Sequence, residues 1–358
     1  MTNNSSYYPA LDGARGWVSI GVLIAHVNIE WLTGILISME LFFVISGFLI
    51  TSIMISKKGK SQNIDLITFW KHRLMRLYPV LVVVVFSFTI IASLATEHAT
   101  SVIKDAITTL LYISNLTKLS DQAYPTIFAQ TWSLAIEEQF YIMWPLLFWI
   151  IFSFNTRAKF ITALLITITF ACLIWKHFLI SSDVQWSRLY YATDTRMDAF
   201  IIGGLIAIHH NSLLLKFHNE IFFSLLKASV FLYALLIVLG SPRAIDYFYW
   251  QQPLAIFLSA AIVIILTSNR NSLLKWLLST RLSVYLGQRS YSIYLWHWPI
   301  IWLLSVLFNP SKPLLLTIVL PITLVLSDIS YRFIERPFML RRKSLRIQQE
   351  IDYLEKRT

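Results

Sequence analysis

The first apolar run of the chain, ALDGARGWVSIGVLIAHVNIEW at residues 10–31, carries three ionisable side chains, Asp12, Arg15 and His26. Charges in a membrane-length apolar run are costly, so they line a polar cavity, pair with one another or do chemistry. Arg15 and His26 are 11 residues apart, and Asp12 lies 3 before Arg15, so on a helix all three share one stripe facing one cavity. His26 then lies roughly 16 Å further along the axis than Arg15, near mid-membrane. A neutral imidazole kept from water is a base that works near pH 7; a lone histidine in a span can equally bond a neighbouring helix. Arg73 and Arg76, in RLMR, stand on one helix face where two guanidinium forks suit phosphates, or they anchor the end of a span. Glu137 and Glu138 open a further apolar run. Adjacent helical residues point about 100° apart, so only one of them, taken as Glu137, faces the cavity and orients the histidine. The alternative is a pair of interfacial carboxylates.

The elements that hold these groups are membrane helices. Hydrophobic residues make up 56% of the 358 and charged residues 14%, against roughly 45–50% apolar in soluble domains. At about 20 apolar residues per crossing, ten all-α spans are expected, at 17–36, 39–55, 74–95, 133–154, 160–180, 198–211, 220–240, 252–268, 283–307 and 312–334. The stretch 102–117, with Lys104 and Asp105, reads as a re-entrant or surface helix. With that stretch not crossing, the basic clusters at 57–76, 157–159, 216, 270–281 and 341–346 fall on one face, as cytoplasmic loops require. The expectation is one polytopic integral-membrane domain over 1–340, a basic cytoplasmic tail over 341–358, and both termini in the cytoplasm. The net charge of +11 is then topological, with lipid and not nucleic acid as partner. Cys172 stands alone, which excludes an intramolecular disulfide. The N-terminal run is too long for a signal peptide and stays as a helix. The histidines show no metal-ligand spacing, so no metal is expected.

Further motifs follow in order: MELFFVISGFLIT at 39–51, FWKHRLMRLYP at 69–79, TWSLAIEEQFYIMWP at 131–145, TDTRMDAFIIGG at 193–204, SYSIYLWHWP at 290–299 and SYRFIERPF at 330–338. Together with the opening stretch they resemble the membrane-bound acyltransferase family 3, bacterial integral-membrane O-acyltransferases of surface carbohydrates, over residues 8–338. The resemblance implies an O-acetyltransferase of the bacterial inner membrane. It would move acetyl from acetyl-CoA to a hydroxyl of an O-antigen, exopolysaccharide or similar glycan, lipid-linked or not. Arg15 and His26 match the family's catalytic pair, and Arg73 with Arg76 its double-arginine motif. Glu40 stands where relatives commonly carry aspartate. Some relatives append a soluble domain with its own serine, histidine and aspartate; here the membrane half alone is expected.

Acyl transfer to a hydroxyl needs a base, a stabiliser for the developing oxyanion and a hold on the donor. His26 is the expected base, assisted by Arg15, Glu137 and Asp12, with Arg73 and Arg76 on the donor. Glu138, Arg196, Asp198, His297 and Glu40 are substrate-binding candidates. Arg196 and Asp198 could instead pair with each other, Trp296 and Trp298 beside His297 could be packing residues, and Glu335 reads as a structural partner of Arg336. A secondary transporter with a midplane polar site would also bury such groups, but no inverted repeat or matched pair of broken helices is visible. Turnover of acyl-CoA by purified protein separates the two.

Overall fold

The computed structural model describes residues 7–27, 30–59, 65–97, 99–119, 127–153, 157–216 and 219–340. The 341–358 tail lies outside them, as do His98 and His218. The described residues form no strand. Their α-helices are α1 Pro9–His26, α2 Met39–Gly59, α3 Leu66–Ala95, α4 Ala99–Leu110, α5 Trp132–Ser153, α6 Ala158–Ser181, α7 Trp186–Tyr191, α8 Met197–Leu215, α9 Glu220–Leu239, α10 Gln252–Thr267, α11 Leu273–Leu278, α12 Arg281–Gln288, α13 Ser290–Phe308 and α14 Lys312–Ser330.

Nine segments among the described residues are long and apolar enough to cross a membrane, and they coincide with nine of the ten expected spans. The chain is an all-α polytopic membrane protein. The first expected span, 17–36, needs correction. Pro9 at the first helical position starts α1 eight residues early, and α1 ends at His26. Glu30–Ser38 then forms a 3-10 helix that runs into α2, so Gly34–Lys57 is one continuous crossing. The two segments lie side by side: a Cβ added at Gly21 would sit 2.7 Å from Ile35. Hydropathy reads both as one apolar run because it carries no information about chain direction.

The stretch expected as a re-entrant or surface helix is α4, 12 residues long, about 18 Å and short of the roughly 30 Å hydrocarbon core. With α4 not crossing, the chain ends alternate in a consistent way. The α8–α9 and α10–α11 connections meet at one face, where Arg270 pairs with Glu220. At the opposite face Trp186 donates to the carbonyl of Pro242 at 3.1 Å.

Lipid faces and core are both apolar here, so helices associate by close packing and buried polar contacts. One such close crossing is α2 on α8. A Cβ at Gly47 would lie 2.0 Å from the Phe200 carbonyl oxygen, and one at Gly203 would lie 2.1 Å from the Val44 carbonyl oxygen. Backbone faces backbone at both glycines, so neither contact relaxes by a rotamer change. The α1–α12 contact is similar, with Gly287 set against the Asp12 carbonyl. The Gly203→Ala variant is expected to lose about 1–3 kcal/mol of stability, read as a lower unfolding midpoint in detergent; an unchanged midpoint would mean the helices can part at no cost.

One acid fastens α4. Asp105 is buried and accepts a hydrogen bond from the Phe128 backbone N–H at 2.7 Å, tying α4 to the segment before α5. Burial pushes its carboxyl up to about 6, against the opposing pull of that hydrogen bond and of the Lys118 charge. The folded protein therefore binds this proton more tightly than the unfolded chain. The contribution is fully present below about pH 4 and lost as pH rises through about 6, on the order of 3 kcal/mol. Asp105→Asn keeps an acceptor for Phe128 and removes the titration. Its unfolding midpoint should therefore lose the decline between pH 4 and 6 expected of the unaltered protein.

Candidate active site

His26 is the last residue of α1, and its ring edge meets a second histidine. Its Nδ1 lies 2.8 Å from Nε2 of His297 in α13. The two rings are within 2° of parallel with centroids 5.1 Å apart, the arrangement of imidazoles joined nitrogen to nitrogen in one plane and not face to face. The Trp298 ring packs edge-on against His26 with centroids 5.0 Å apart. His297 is fully buried; His26 is half-buried, because it lines a cavity of about 330 Å³. Five aromatic rings, from Trp132, Trp186, Tyr190, Tyr191 and Trp298, share that wall with Gln130 and Arg243. Among the described residues no acid lines it.

Arg15 opens on a different space, a cavity of about 30 Å³ lined also by Glu137, Phe42, Ser133, Tyr291 and Tyr294. The wall between the two cavities is a hydrogen-bonded set. The Tyr294 hydroxyl lies 2.7 Å from that of Ser133 and 2.7 Å from the Gln130 carbonyl, and the Gln130 side chain donates to the Leu295 carbonyl at 3.1 Å. Arg15 and His26 thus sit on opposite sides of one partition, where the shared stripe predicts a single cavity. Asp12 belongs to neither: it takes a hydrogen bond from the Tyr7 hydroxyl, at the contact of α1 with α12.

The two glutamates face different groups. Glu137 lines the smaller cavity and accepts from Ser46 at 2.9 Å, while Glu138 is turned to Arg73, which holds it at 2.9 Å and lies over the Tyr141 ring. Glu137 does not reach His26; the group against that imidazole is His297. Arg73 is committed to a carboxylate, whereas Arg76 has a buried Nε without a hydrogen-bond partner among the described residues. The charges of Arg15, Arg73, Glu335 and Asp12 surround Arg76. Glu335 is not the partner of Arg336. It accepts from Ser292 at 2.5 Å, and the charges of Arg76, Arg15 and Arg289 act on it.

Arg196 and Asp198 do not pair with each other either. Arg196 pairs with Glu40 on α2, donates to the Tyr190 carbonyl at 3.0 Å and lies over the Tyr190 ring at 4.5 Å. Asp198 pairs with Lys176 of α6, which also reaches Gln252 at 3.2 Å. Tyr247 completes the set by donating to Glu40 at 2.7 Å. Lys176 was legible as a charge inside the apolar run LIWKHFLI, which by itself marks a paired intramembrane residue. The aromatic wall carried no such signal, because its members come from three distant segments whose tryptophans and tyrosines read as packing.

A family model described as an acyltransferase domain matches residues 8–332. The chain belongs to that family, the membrane-bound acyltransferases suggested by its motifs. It is 35% identical to the O-acetyltransferase OatA of Staphylococcus aureus over 92% of its own length and 57% of the relative's. It is 34% identical to the putative peptidoglycan O-acetyltransferase YrhL of Bacillus subtilis, over 94% of this chain and 55% of the relative. Against the peptidoglycan O-acetyltransferase OatA of Listeria monocytogenes the identity is 29%, over 92% and 56%. The chain therefore spans just over half the length of these relatives. No solved structure matches.

Glu40 and Arg196 are 0% and 1% exposed. Removing the charge of one buried partner leaves the other uncompensated, so Glu40→Gln is expected to destabilise by about 3–5 kcal/mol. Glu40→Asp keeps the charge and should recover part of the loss. Unfolding midpoints of the two variants in detergent check the order.

Proposed function

We propose that this chain is an integral-membrane O-acetyltransferase that moves acetyl from acetyl-CoA to a hydroxyl of a cell-wall glycan, with peptidoglycan as the acceptor class. The observation that carries this reading is the half-buried edge of His26 facing an aromatic cavity, with a cluster of arginines beyond the partition behind it. Flat aromatic faces suit the apolar faces of sugar rings, and an imidazole edge among them meets a hydroxyl. Arg243 supplies a cation to that wall, which suits an acceptor bearing a carboxylate or phosphate. Two relatives carry peptidoglycan in their names, and that favours peptidoglycan over the O-antigen or exopolysaccharide that the motifs also admit.

In this reading the basic face of the bundle is cytoplasmic, both termini lie there, and the membrane is the bacterial inner membrane. Donor phosphates dock at Arg76, with Arg73 held ready by Glu138, and the thioester reaches past Arg15 and Tyr294 toward His26. His26 takes the proton of the acceptor hydroxyl. Arg15 and Glu137 stay on the donor side, where a guanidinium stabilises developing negative charge. Glu40, Arg196 and Asp198 act as the frame of the acceptor wall and not as ligands. Asp12 is structural.

His26→Ala should abolish acetylation, measured as loss of the acetyl mass increment from cell-wall glycans, with the protein still inserted. Retained acetylation would remove His26 as the base. Arg76→Ala should weaken acetyl-CoA binding by about tenfold, the value of one charge-assisted hydrogen bond, and leave His26-dependent chemistry intact. Calorimetry with purified protein measures it, and unchanged affinity would move the donor site toward Arg15.

A further inference from the structure

We infer that His297 is a positioning residue that fixes the tautomer of His26, leaving Nε2 of His26 as the basic atom that faces the larger cavity. The inference rests on the reading of His26 as the base. It follows from a chain of bonds with a fixed direction. Nδ1 of His297 lies 3.2 Å from the Ile293 carbonyl oxygen, and a carbonyl can only accept, so that nitrogen carries the hydrogen. A neutral His297 then has its lone pair on Nε2. That atom is 2.8 Å from Nδ1 of His26, so His26 donates there, and its single ring hydrogen is used up. The lone pair of His26 is left on Nε2, at the far edge of the ring.

The geometry holds this direction firmly. His297 is 0% exposed, its own helix supplies the Ile293 carbonyl one turn back, and the Tyr294 ring packs on it with centroids 5.4 Å apart. Coplanarity of the two imidazoles puts the hydrogen bond along the lone-pair axis of the acceptor. Trp298 closes one side of His26 and prevents the ring from turning away. During transfer the acceptor O–H bond breaks, its proton moves to Nε2 of His26, and the new oxygen–acyl bond forms as the carbon–sulfur bond of the thioester breaks. The imidazolium keeps its Nδ1–H on His297 and returns the Nε2 proton to the departing thiolate. Histidine here does what a carboxylate does in other base–orienter pairs, without placing a negative charge beside the base.

Two substitutions separate positioning from packing. His297→Leu fills similar space and offers no acceptor, so the His26 hydrogen is free to move to Nε2 and block the base. His297→Gln places an amide oxygen at the same bond count from Cα and can accept from Nδ1. With the full chain in membrane vesicles, acetyl-CoA and peptidoglycan fragments, His297→Leu should lower kcat by about tenfold or more, leave both KM values nearly unchanged, and be largely rescued by His297→Gln. Nitrogen-15 spectra of histidine-labelled wild-type protein, with His26 assigned from the His26→Ala variant, should show hydrogen on Nδ1. Hydrogen on Nε2 would overturn the inference even if His297→Leu failed to insert, and so would wild-type kcat in an inserted His297→Leu protein. Wild-type transfer by His26→Ala would instead overturn the base itself, while the spectrum still reports the tautomer.

Discussion

The constraint behind this architecture is the cost of an uncompensated charge where lipid excludes water. Arg196, Glu40, Lys176 and Asp198 are almost wholly buried, and α2, α6 and the N-terminal end of α8 bring them together as opposite pairs. The same helices approach to backbone contact at Gly47 and Gly203, close enough for short polar groups to find partners. The pairs contribute little net stability over an apolar core, since desolvation offsets attraction. They do set the register of the helices, because any slip leaves a bare charge.

The pairs also shape the site. Arg196 holds the Tyr190 carbonyl and ring and stands within 5.6 Å of the Trp132 ring, so the aromatic wall leans on a cation behind it. Residues that first read as ligands of a substrate are thus one layer back, where they position the groups that face the cavity. The Trp186 bond to Pro242 does the same for the turn carrying Arg243. A wall built on charge pairs and hydrogen bonds is stiffer than one of aromatic packing alone, which suits the proposed presentation of a hydroxyl to one nitrogen.

Most of the helical plan was legible because a crossing needs a fixed length of apolar sequence, and length survives without knowledge of contacts. The stripe from Arg15 to His26 was legible for the same reason: helical period is local. What lay beyond reach was whatever depends on chain reversal or on distant segments meeting. Residues 17–36 read as one span because an apolar reversal has the hydropathy of a straight helix. A pairing of Arg196 with Asp198 is one of two readings the sequence leaves open because two residues apart they are neighbours there, while their actual partners, Glu40 and Lys176, lie on other helices. Glu137 looked like the orienter of His26 for want of any way to see that Tyr294 and Ser133 stand between them.

The partition gives the fold its division of labour. In the proposed reaction a charged, phosphate-bearing donor and a sugar acceptor have opposite requirements, one a nest of guanidinium groups and the other stacked rings with few charges. Placing both sets in one cavity would put Arg15, Arg73 and Arg76 beside a base that must keep a free lone pair, and each positive charge disfavours proton capture there. On the proposed reading, separation by the Tyr294–Ser133–Gln130 set removes that conflict: the cations would act on the side where negative charge arrives, and His26 on the other, against His297. The same separation restricts what can pass. An acyl group carried on a flexible thioester arm is narrow, whereas the phosphates that would anchor the proposed donor are not, so in that reaction the smaller cavity would select for reach and the larger one for shape.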